Sequence, residues 1–306
     1  MATPPRVEFG YGPPAGERQF ETIRPREFVA DLHRVLDVAA QGFGSLWIPD
    51  HLQFGSRYRL ECWTMLVWLA ARYPNVKLGT IVMSNSFRHP ALLAKMAATL
   101  QTLSGGRFIL GYGAGWHEEE YRAYGYAYPS PGQRVAMLEE GVQVIRALWT
   151  QSPANFQGRY YQLTDAYCEP RPDPLPPIMI GGGGEQRTLR VVARYADWWN
   201  DVLRPPEELR HKLAVLRQHC EAEGRDYDSI PKSVNVRIVL DRSHSAALRR
   251  AETLGGDMLK GDPAAVRDQL AALADEGVSM FQVVLAGFPE TDDMRLFLDE
   301  VAPAFA

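Results

Sequence analysis

The sequence predicts an α/β protein folded as a (β/α)8 TIM barrel, and three observations support this fold class. Short apolar runs alternate with amphipathic helices over eight steps along the chain. Three of the runs are apolar throughout, as in parallel strands that are covered by helices. The 306 residues, 46% of them apolar, suffice for one barrel domain over residues 1–306. An open, doubly wound sheet is the alternative, because periodicity does not show whether a sheet closes.

The first four steps have clear helix start and stop residues. Strands are predicted at 7–12, 45–50, 76–84 and 107–115, and helices at 24–44, 60–73, 89–106, 118–125 and 132–149. The first helix carries apolar residues from Phe28 to Ala39 at helical spacing and ends at Gly42. In the third, Pro90 stands near the first helical position and Gly105 can adopt the left-handed cap.

The second half continues the alternation after an insertion. Residues 152–177 are rich in proline and aromatic residues, which predicts an insertion with a short hairpin at 156–163. Strands follow at 176–182, 197–203, 233–240 and 280–288. Helices are predicted at 185–196 and 206–224, one or two within 245–277, and a last one at 291–305.

Composition excludes several classes of protein. The net charge is −4 and no basic stripe occurs, which disfavours nucleic-acid binding. No window approaches the ~18 apolar residues of a membrane span, and the N-terminus lacks the pattern of a secretory signal. Cys62, Cys168 and Cys220 are too far apart for a CxxC zinc site or a disulfide framework. We therefore expect a cytoplasmic protein without nucleic-acid or membrane partners.

Polar and glycine-rich segments follow the predicted strands at their carboxyl ends. They are Asp50-His51, the segment 84–89, the segment 113–120 and the four glycines 181–184. In a barrel these ends meet on one rim, where active sites of this fold lie. The sequence therefore predicts a functional site there.

The four glycines indicate an anion site. A buried strand, then glycines, then a helix start lets backbone N–H groups meet a phosphate. A tight turn without a ligand is the alternative. The segments GGGGEQ and GYGAGW lack GxGxxG spacing with an acid ~20 residues on, so a Rossmann site is disfavoured.

His51 is the candidate proton-transfer residue at this rim. It can also stack on a ring or donate a hydrogen bond to a cofactor carbonyl, and the alternative is a loop histidine capped by Asp50. The segment HEEE at 117–120 invites a metal interpretation, but no HExxH pattern occurs, and acids at a helix start favour the helix dipole. No metal site and no serine nucleophile are predicted, since GxSxG is also missing.

Three segments resemble one known family in order and spacing. They are SLWIPDHL at 45–52, the stretch from VKLGTIVMSNSFRH at 76–89 to EEEYRAYG at 118–125, and PPIMIGGGGEQRTLRVVARYADWWN at 176–200. The chain resembles the bacterial luciferase-like flavin family, and more narrowly its coenzyme F420-dependent branch. The resemblance implies a barrel that is often dimeric, with an insertion after the helices of strand four, and so a homodimer here.

The resemblance also implies roles for residues. Asp50 and His51 would lie near the reactive face of the cofactor ring as catalytic residues. A non-prolyl cis peptide between Ile81 and Val82 would back the ring. Further cofactor contacts carried over by position are Asp50, Ser84, Ala114, Gly115, Glu119, Gly183, Gly184, Gln186 and Arg187.

One position departs from the family pattern. Sugar-phosphate dehydrogenases of the family carry a catalytic Glu after the glycine of strand four, where this chain has Trp116. Trp116 is therefore expected to wall the substrate pocket, and sugar phosphates are disfavoured. Glycines stand where FMN enzymes of the family often have serines, which favours coenzyme F420 over FMN. The resemblance therefore implies a coenzyme F420-dependent oxidoreductase that transfers a hydride between the cofactor and a small organic substrate. The alternatives are an FMN-dependent monooxygenase and a flavin carrier without turnover.

Overall fold

Parallel strands close into a barrel in the part of the chain that the computed structural model describes, residues 7–16 and 24–306. The strands are β1 Glu8–Tyr11, β2 Ser45–Ile48, β3 Lys77–Thr80, β4 Met83–Ser84, β5 Phe108–Gly113, β6 Ala154–Gln157, β7 Gln162–Ala166, β8 Ile178–Gly181, β9 Trp198–Val202, β10 Lys232–Leu240, β11 Leu259–Gly261 and β12 Val278–Leu285. Around the barrel the order is β1, β2, β3, β5, β8, β9, β10, β12 and back to β1.

The pairing registers show that the ring is complete. The first strand pairs on one side with β2 and on the other with β12, where Phe9 lies opposite Phe281. Strand β10 likewise pairs with β9 and with β12. The (β/α)8 prediction is therefore confirmed, and the open-sheet alternative is wrong.

Helices cover the outside of the barrel between successive strands. They are α1 Pro25–Gly42, α2 Cys62–Arg72, α3 Pro90–Ser104, α4 Glu118–Ala123, α5 Pro131–Thr150, α6 Thr188–Tyr195, α7 Pro206–Ala222, α8 His244–Leu254, α9 Pro263–Asp275 and α10 Asp292–Leu296. Helix α3 begins at Pro90 and is capped by Gly105 at φ 68°, as the sequence predicts. No helix among the described residues has the length and apolar character needed to cross a membrane.

Three elements differ from the predicted ones. The third predicted strand is interrupted at Ile81 and Val82, so that β4 pairs with β5 as a separate segment. Strand β11 was not predicted, because three residues are too few to show a period. The last predicted helix is α10 followed by a π-helical segment, Phe297–Val301, and a 3₁₀ turn, Ala302–Phe305, because Pro303 cannot donate the backbone hydrogen bond of a continuing α-helix.

The predicted insertion contains the expected hairpin. Strands β6 and β7 pair antiparallel, separately from the barrel. The Glu140 carboxylate of α5 accepts backbone N–H bonds from Arg159, Tyr160 and Tyr161 between the two strands. The hairpin is thereby fixed to the outside of the barrel.

Trp47 fills the barrel interior next to two glycines. It is fully buried with Ile109 and Met179, and its Nε1 donates to the Ser45 hydroxyl at 2.8 Å. A Cβ at Gly10 or Gly79 would overlap the Trp47 ring. Glycines in β1 and β3 are therefore needed for close approach to this ring.

Candidate active site

A cleft of about 280 Å³ opens at the carboxyl-terminal rim of the barrel. Its lining comes from the ends of strands that are distant in sequence but adjacent around the ring. The lining residues are Asp50, His51, Ile81, Val82, Ser84, Gly113, Ala114, Gly115, Trp116, Glu120, Gly181, Gly182, Thr188, Asn200, Asp201, Val202 and Asn235. This is the rim on which the sequence predicts the site.

Asp50 is held in a buried ion pair at the end of β2. Arg88 Nη1 donates to Oδ2 at 2.8 Å and Nη2 donates to Oδ1 at 3.2 Å, while the backbone N–H of Ser84 donates to Oδ2 at 2.9 Å. Burial raises the pKa of the Asp50 carboxyl, and the Arg88 charge opposes that rise. Both oxygens are thus engaged by the protein, which suits a residue that orders the rim better than one that exchanges protons.

His51 is paired with a buried carboxylate. Its Nδ1 lies 3.0 Å from Glu120 Oε1, and the second oxygen of Glu120 accepts the N–H of Leu52 at 2.7 Å. Glu120 is 2% exposed. Because a carboxylate accepts, Nδ1 carries the proton, and Nε2 is the nitrogen left to exchange a proton with a ligand.

Aromatic rings surround His51 on its outer side. The Phe54 ring centroid lies 4.6 Å from that of His51, and the Trp116 centroid lies 5.7 Å from it, with the planes nearly perpendicular. Trp116 is 64% exposed and also contacts His117. Both rings cover part of the His51 ring, and Trp116 also lines the cleft.

Ser84 and Gly115 approach each other at the inner end of the cleft. The Ser84 hydroxyl lies 2.9 Å from the hydroxyl of Tyr121, which is fully buried. Gly115 has φ 75°, and a Cβ there would overlap the Tyr121 hydroxyl and lie 2.6 Å from Ser84 Oγ. The position therefore requires glycine for both conformation and space.

The opposite wall is mostly backbone. A Cβ at Gly113 or Gly181 would lie 2.6 Å or 2.8 Å from a methyl group of Val82, whose side chain occupies that space. Gly182 follows with φ 121°, and its carbonyl accepts Trp199 Nε1–H at 3.0 Å. Gly113 and Gly181 therefore leave the room that Val82 needs, and Gly182 adds only backbone to this wall.

Thr188 begins α6 beside this glycine wall. Its side chain is buried at the edge of the cleft, and within the described residues its hydroxyl makes no hydrogen bond. The first N–H groups of a helix attract anions. The apolar Ile81–Val82 floor, the glycine wall and this hydroxyl therefore fit a planar ring with a phosphorylated side chain.

Comparison with known proteins assigns the family. Residues 15–277 match the sequence model of the family described as luciferase-like monooxygenase. The chain belongs to this family. The resemblance seen in the sequence is thereby confirmed.

The curated relatives of this luciferase-like chain include F420-dependent enzymes. It is 33% identical over 239 residues to the F420-dependent glucose-6-phosphate dehydrogenase of Amycolatopsis mediterranei, covering 74% of this chain and 69% of the relative. It is 34% identical over 285 residues to the F420-dependent glucose-6-phosphate dehydrogenase of Nakamurella multipartita, covering 90% of this chain and 80% of the relative.

Solved structures share the fold. An F420-dependent secondary alcohol dehydrogenase in complex with an F420-acetone adduct has a TM-score of 0.82 at 20% identity, with 98% of this chain and 99% of that chain covered. At 20% identity this structural similarity shows that the two proteins share the barrel fold.

Eight of the residues singled out from the sequence line the cleft together. They are Asp50, His51, Ile81, Val82, Ser84, Ala114, Gly115 and Trp116. The peptide between Ile81 and Val82 is cis, as the family resemblance predicted. The roles of these eight residues in binding or converting a ligand stay predictions.

Five other predicted residues flank the cleft without lining it. Glu119 accepts from Gln53 Nε2 and from the N–H of Gly55, each at 3.0 Å. The position of Gly183 is set by Asp201, since a Cβ there would lie 2.6 Å from Asp201 Oδ2. The others, Gly184, Gln186 and Arg187, are exposed in the turn before α6. Their assignment as cofactor contacts likewise stays a prediction.

Sequence reasoning missed several lining residues. Glu120 belongs to a run of acids that is typical of a solvated helix start, and only its place three residues into α4 points it inward. Asn200 donates to Ser233 Oγ at 3.0 Å and to Gln282 Oε1 at 3.1 Å, and Asp201 accepts from Arg204 Nε at 2.7 Å. The sequence feature that could have revealed these two residues is an Asn-Asp pair inside an otherwise apolar, tryptophan-rich strand.

Proposed function

We propose that this luciferase-like protein is a coenzyme F420-dependent oxidoreductase that transfers a hydride between the cofactor and a small organic substrate. The observation that carries the proposal is the His51–Glu120 pair, which lies in the same cleft as the glycine wall and Thr188. The F420-dependent relatives support the choice of cofactor.

In this proposal different residues of the cleft bind the ring, bind the phosphate and transfer the proton. Ile81 and Val82 would support the ring, and Thr188 with the start of α6 would hold the phosphate. F420, when bound, supplies a ring carbon that accepts or donates a hydride. His51 Nε2 would take the hydroxyl proton of an alcohol, or return it to a carbonyl oxygen, with Glu120 stabilising the protonated ring.

Anaerobic turnover tests this proposal. Purified protein with F420 is mixed with a panel of alcohols, and protein with reduced F420 is mixed with the matching carbonyl compounds, while the visible absorbance of the oxidised cofactor is followed. Hydride transfer without oxygen is expected. A reaction that requires both FMN and oxygen would instead establish the monooxygenase alternative, and tight binding without any turnover would establish a carrier.

We also propose a cytoplasmic homodimer. Three cysteines that are buried and unpaired suit a reducing compartment. An apolar groove of about 340 Å³ lies between α1 and α2, lined by Val29, Leu60, Met65 and Trp68 among others. Such a groove is typical of interfaces between subunits. Light scattering on the purified chain should give twice the monomer mass, and the monomer mass would contradict the dimer.

A further inference from the structure

A second cavity of about 270 Å³ adjoins the cleft. The two cavities share Ile81 and Asn235. A molecule in the second cavity would therefore lie next to a cofactor ring bound in the cleft over Ile81. Most of the remaining wall is apolar and comes from the segment after β1 and the loop after β2. It includes Pro13, Pro14, Trp47, Pro49, Phe54 and Val284.

The charged side chains in the described lining of this cavity are arginines. Arg57 and Arg59 line it, whereas its described lining contains no carboxylate. The Arg59 guanidinium lies 4.8 Å from the Phe54 ring centroid, which fixes its direction. Arg57 is exposed and forms no ion pair with a carboxylate of the described residues. The cavity thus combines an apolar body with the exposed cation of Arg57.

We propose that this cavity is the substrate pocket and that it takes a small apolar carboxylate, an alkyl or aryl body with a single acid group. The inference rests on the proposed function, because it places the substrate beside the cofactor site. Guanidinium groups bind carboxylates with short, charge-assisted hydrogen bonds. The polar side chains besides the arginines are the amides of Asn235 and Gln282, and Gln282 already accepts from Asn200.

This donor set disfavours a sugar phosphate. A hexose would bury several hydroxyl groups against proline and tryptophan without hydrogen-bond partners, and each such group weakens binding. An apolar hydroxy acid has one hydroxyl group. Its oxidation would break the carbinol C–H bond, with the hydride going to F420 held in the adjoining cleft and the hydroxyl proton going to His51, which lines that cleft; the products would be the oxo acid and reduced F420.

Binding of benzoate and benzamide to the full chain tests the proposal, because the two probes have the same shape and differ in charge. Calorimetry on wild type should show benzoate binding about tenfold tighter than benzamide. Arg57→Gln should remove most of that preference. The control is Arg249→Gln, at an exposed position on α8, which should keep it.

The outcomes separate this inference from the proposed function. Equal binding of both probes, no binding of either, or an unchanged preference in Arg57→Gln would overturn the pocket assignment. Glucose 6-phosphate binding tighter than benzoate would overturn it as well. F420 binding is measured separately by fluorescence, so its failure contradicts the proposed function while the benzoate result still decides the substrate class.

Discussion

At His51 the chemistry depends on a neighbour that comes 69 positions later in the chain. Glu120 is buried and accepts from both the His51 ring and the backbone N–H of Leu52. A carboxylate in this place selects the tautomer that carries its proton on Nδ1 and leaves Nε2 facing a ligand. His51 alone is an ordinary loop histidine, and the pair is what makes it a proton-transfer group.

Replacing Glu120→Gln should therefore reduce kcat roughly a hundredfold while F420 affinity changes little. The amide keeps the size but has no charge to stabilise the protonated His51 ring, so the pH dependence of kcat should also change. Steady-state rates over a pH series measure both effects. His51→Ala should give a rate loss at least as large. A Glu120→Gln enzyme with the rate and pH profile of wild type would remove Glu120 from the mechanism.

Replacing Gly115 tests two effects, the steric overlap of a new side chain with Tyr121 and the cost of a left-handed backbone conformation. Gly115→Ala should lower the free energy of unfolding by clearly more than the about 1–2 kcal/mol cost of an alanine in the left-handed region, because the methyl group meets the Tyr121 hydroxyl. Gly125→Ala is the matched control, since Gly125 has φ 74° and open space around it. Urea unfolding of both variants measures the difference. Equal losses would show that the Tyr121 contact does not matter.

At the scale of elements, α2 is anchored to the site through Glu61, the residue that caps its start. The Glu61 carboxylate accepts the N–H groups of Trp63 at 3.0 Å and Thr64 at 2.7 Å, and it also binds Arg88. Arg88 in turn holds Asp50. The start of the helix thus fixes the rim segment between β2 and β4.

The pH dependence of stability should reveal this cap. Burial tends to raise the pKa of Glu61, but the hydrogen bonds from Thr64 and Trp63 and the Arg88 charge outweigh it and lower the pKa below 4.5. Stability from the ionised group is therefore present above pH 4.5 and is lost as the pH falls through the folded-state pKa. Glu61→Gln should cost about 1 kcal/mol at neutral pH.

Unfolding experiments at several pH values check the cap. The difference between wild type and Glu61→Gln should shrink as the pH falls below 4.5. Glu252→Gln, at an exposed position on α8, is the control and should match wild type throughout. A difference that does not vary with pH would show that the charge of Glu61 is not involved.

Predictability from sequence also differs by element. Helix α3 was placed closely, because Pro90 and Gly105 are local signals that act within one turn. The glycine runs and the strand ends were likewise visible. Glu120, Thr188 and Asn235 were not found, since their inward direction depends on how distant strands close around the cleft. Local residue chemistry determines where an element ends, but tertiary packing determines which side chains face a ligand.

For the whole molecule, barrel closure is what assembles the site. The ends of β2, β4, β5 and β8 lie side by side in the sheet, and closure through β1 and β12 places β10 across from them, so that Asn235 completes the lining of the cleft. The interior under that rim is filled by the Trp47 ring, which lies close to Gly10 and Gly79. Packing inside the barrel therefore supports the floor of the cleft.

Gly79→Ala should destabilise the whole barrel. The added methyl group overlaps the buried Trp47 ring, and overpacking of a core typically costs about 1–3 kcal/mol. Gly44→Ala is the control, because the nearest atom to its added methyl group is 4.0 Å away, and it should change stability by less than about 0.5 kcal/mol. Thermal unfolding of both variants gives the comparison. A Gly79→Ala protein as stable as the control would show that the interior is loosely packed.

Equilibrium titration of the purified chain with F420 and with FMN, followed by tryptophan fluorescence, tests the central claim most directly. We expect saturable binding of F420, much weaker binding of FMN, and an about tenfold loss of F420 affinity in Thr188→Val. Thr99→Val, on the exposed face of α3, should bind as wild type does. Tight FMN binding without F420 binding, or full F420 affinity in Thr188→Val, would contradict a cleft that holds F420 by its phosphate at the start of α6.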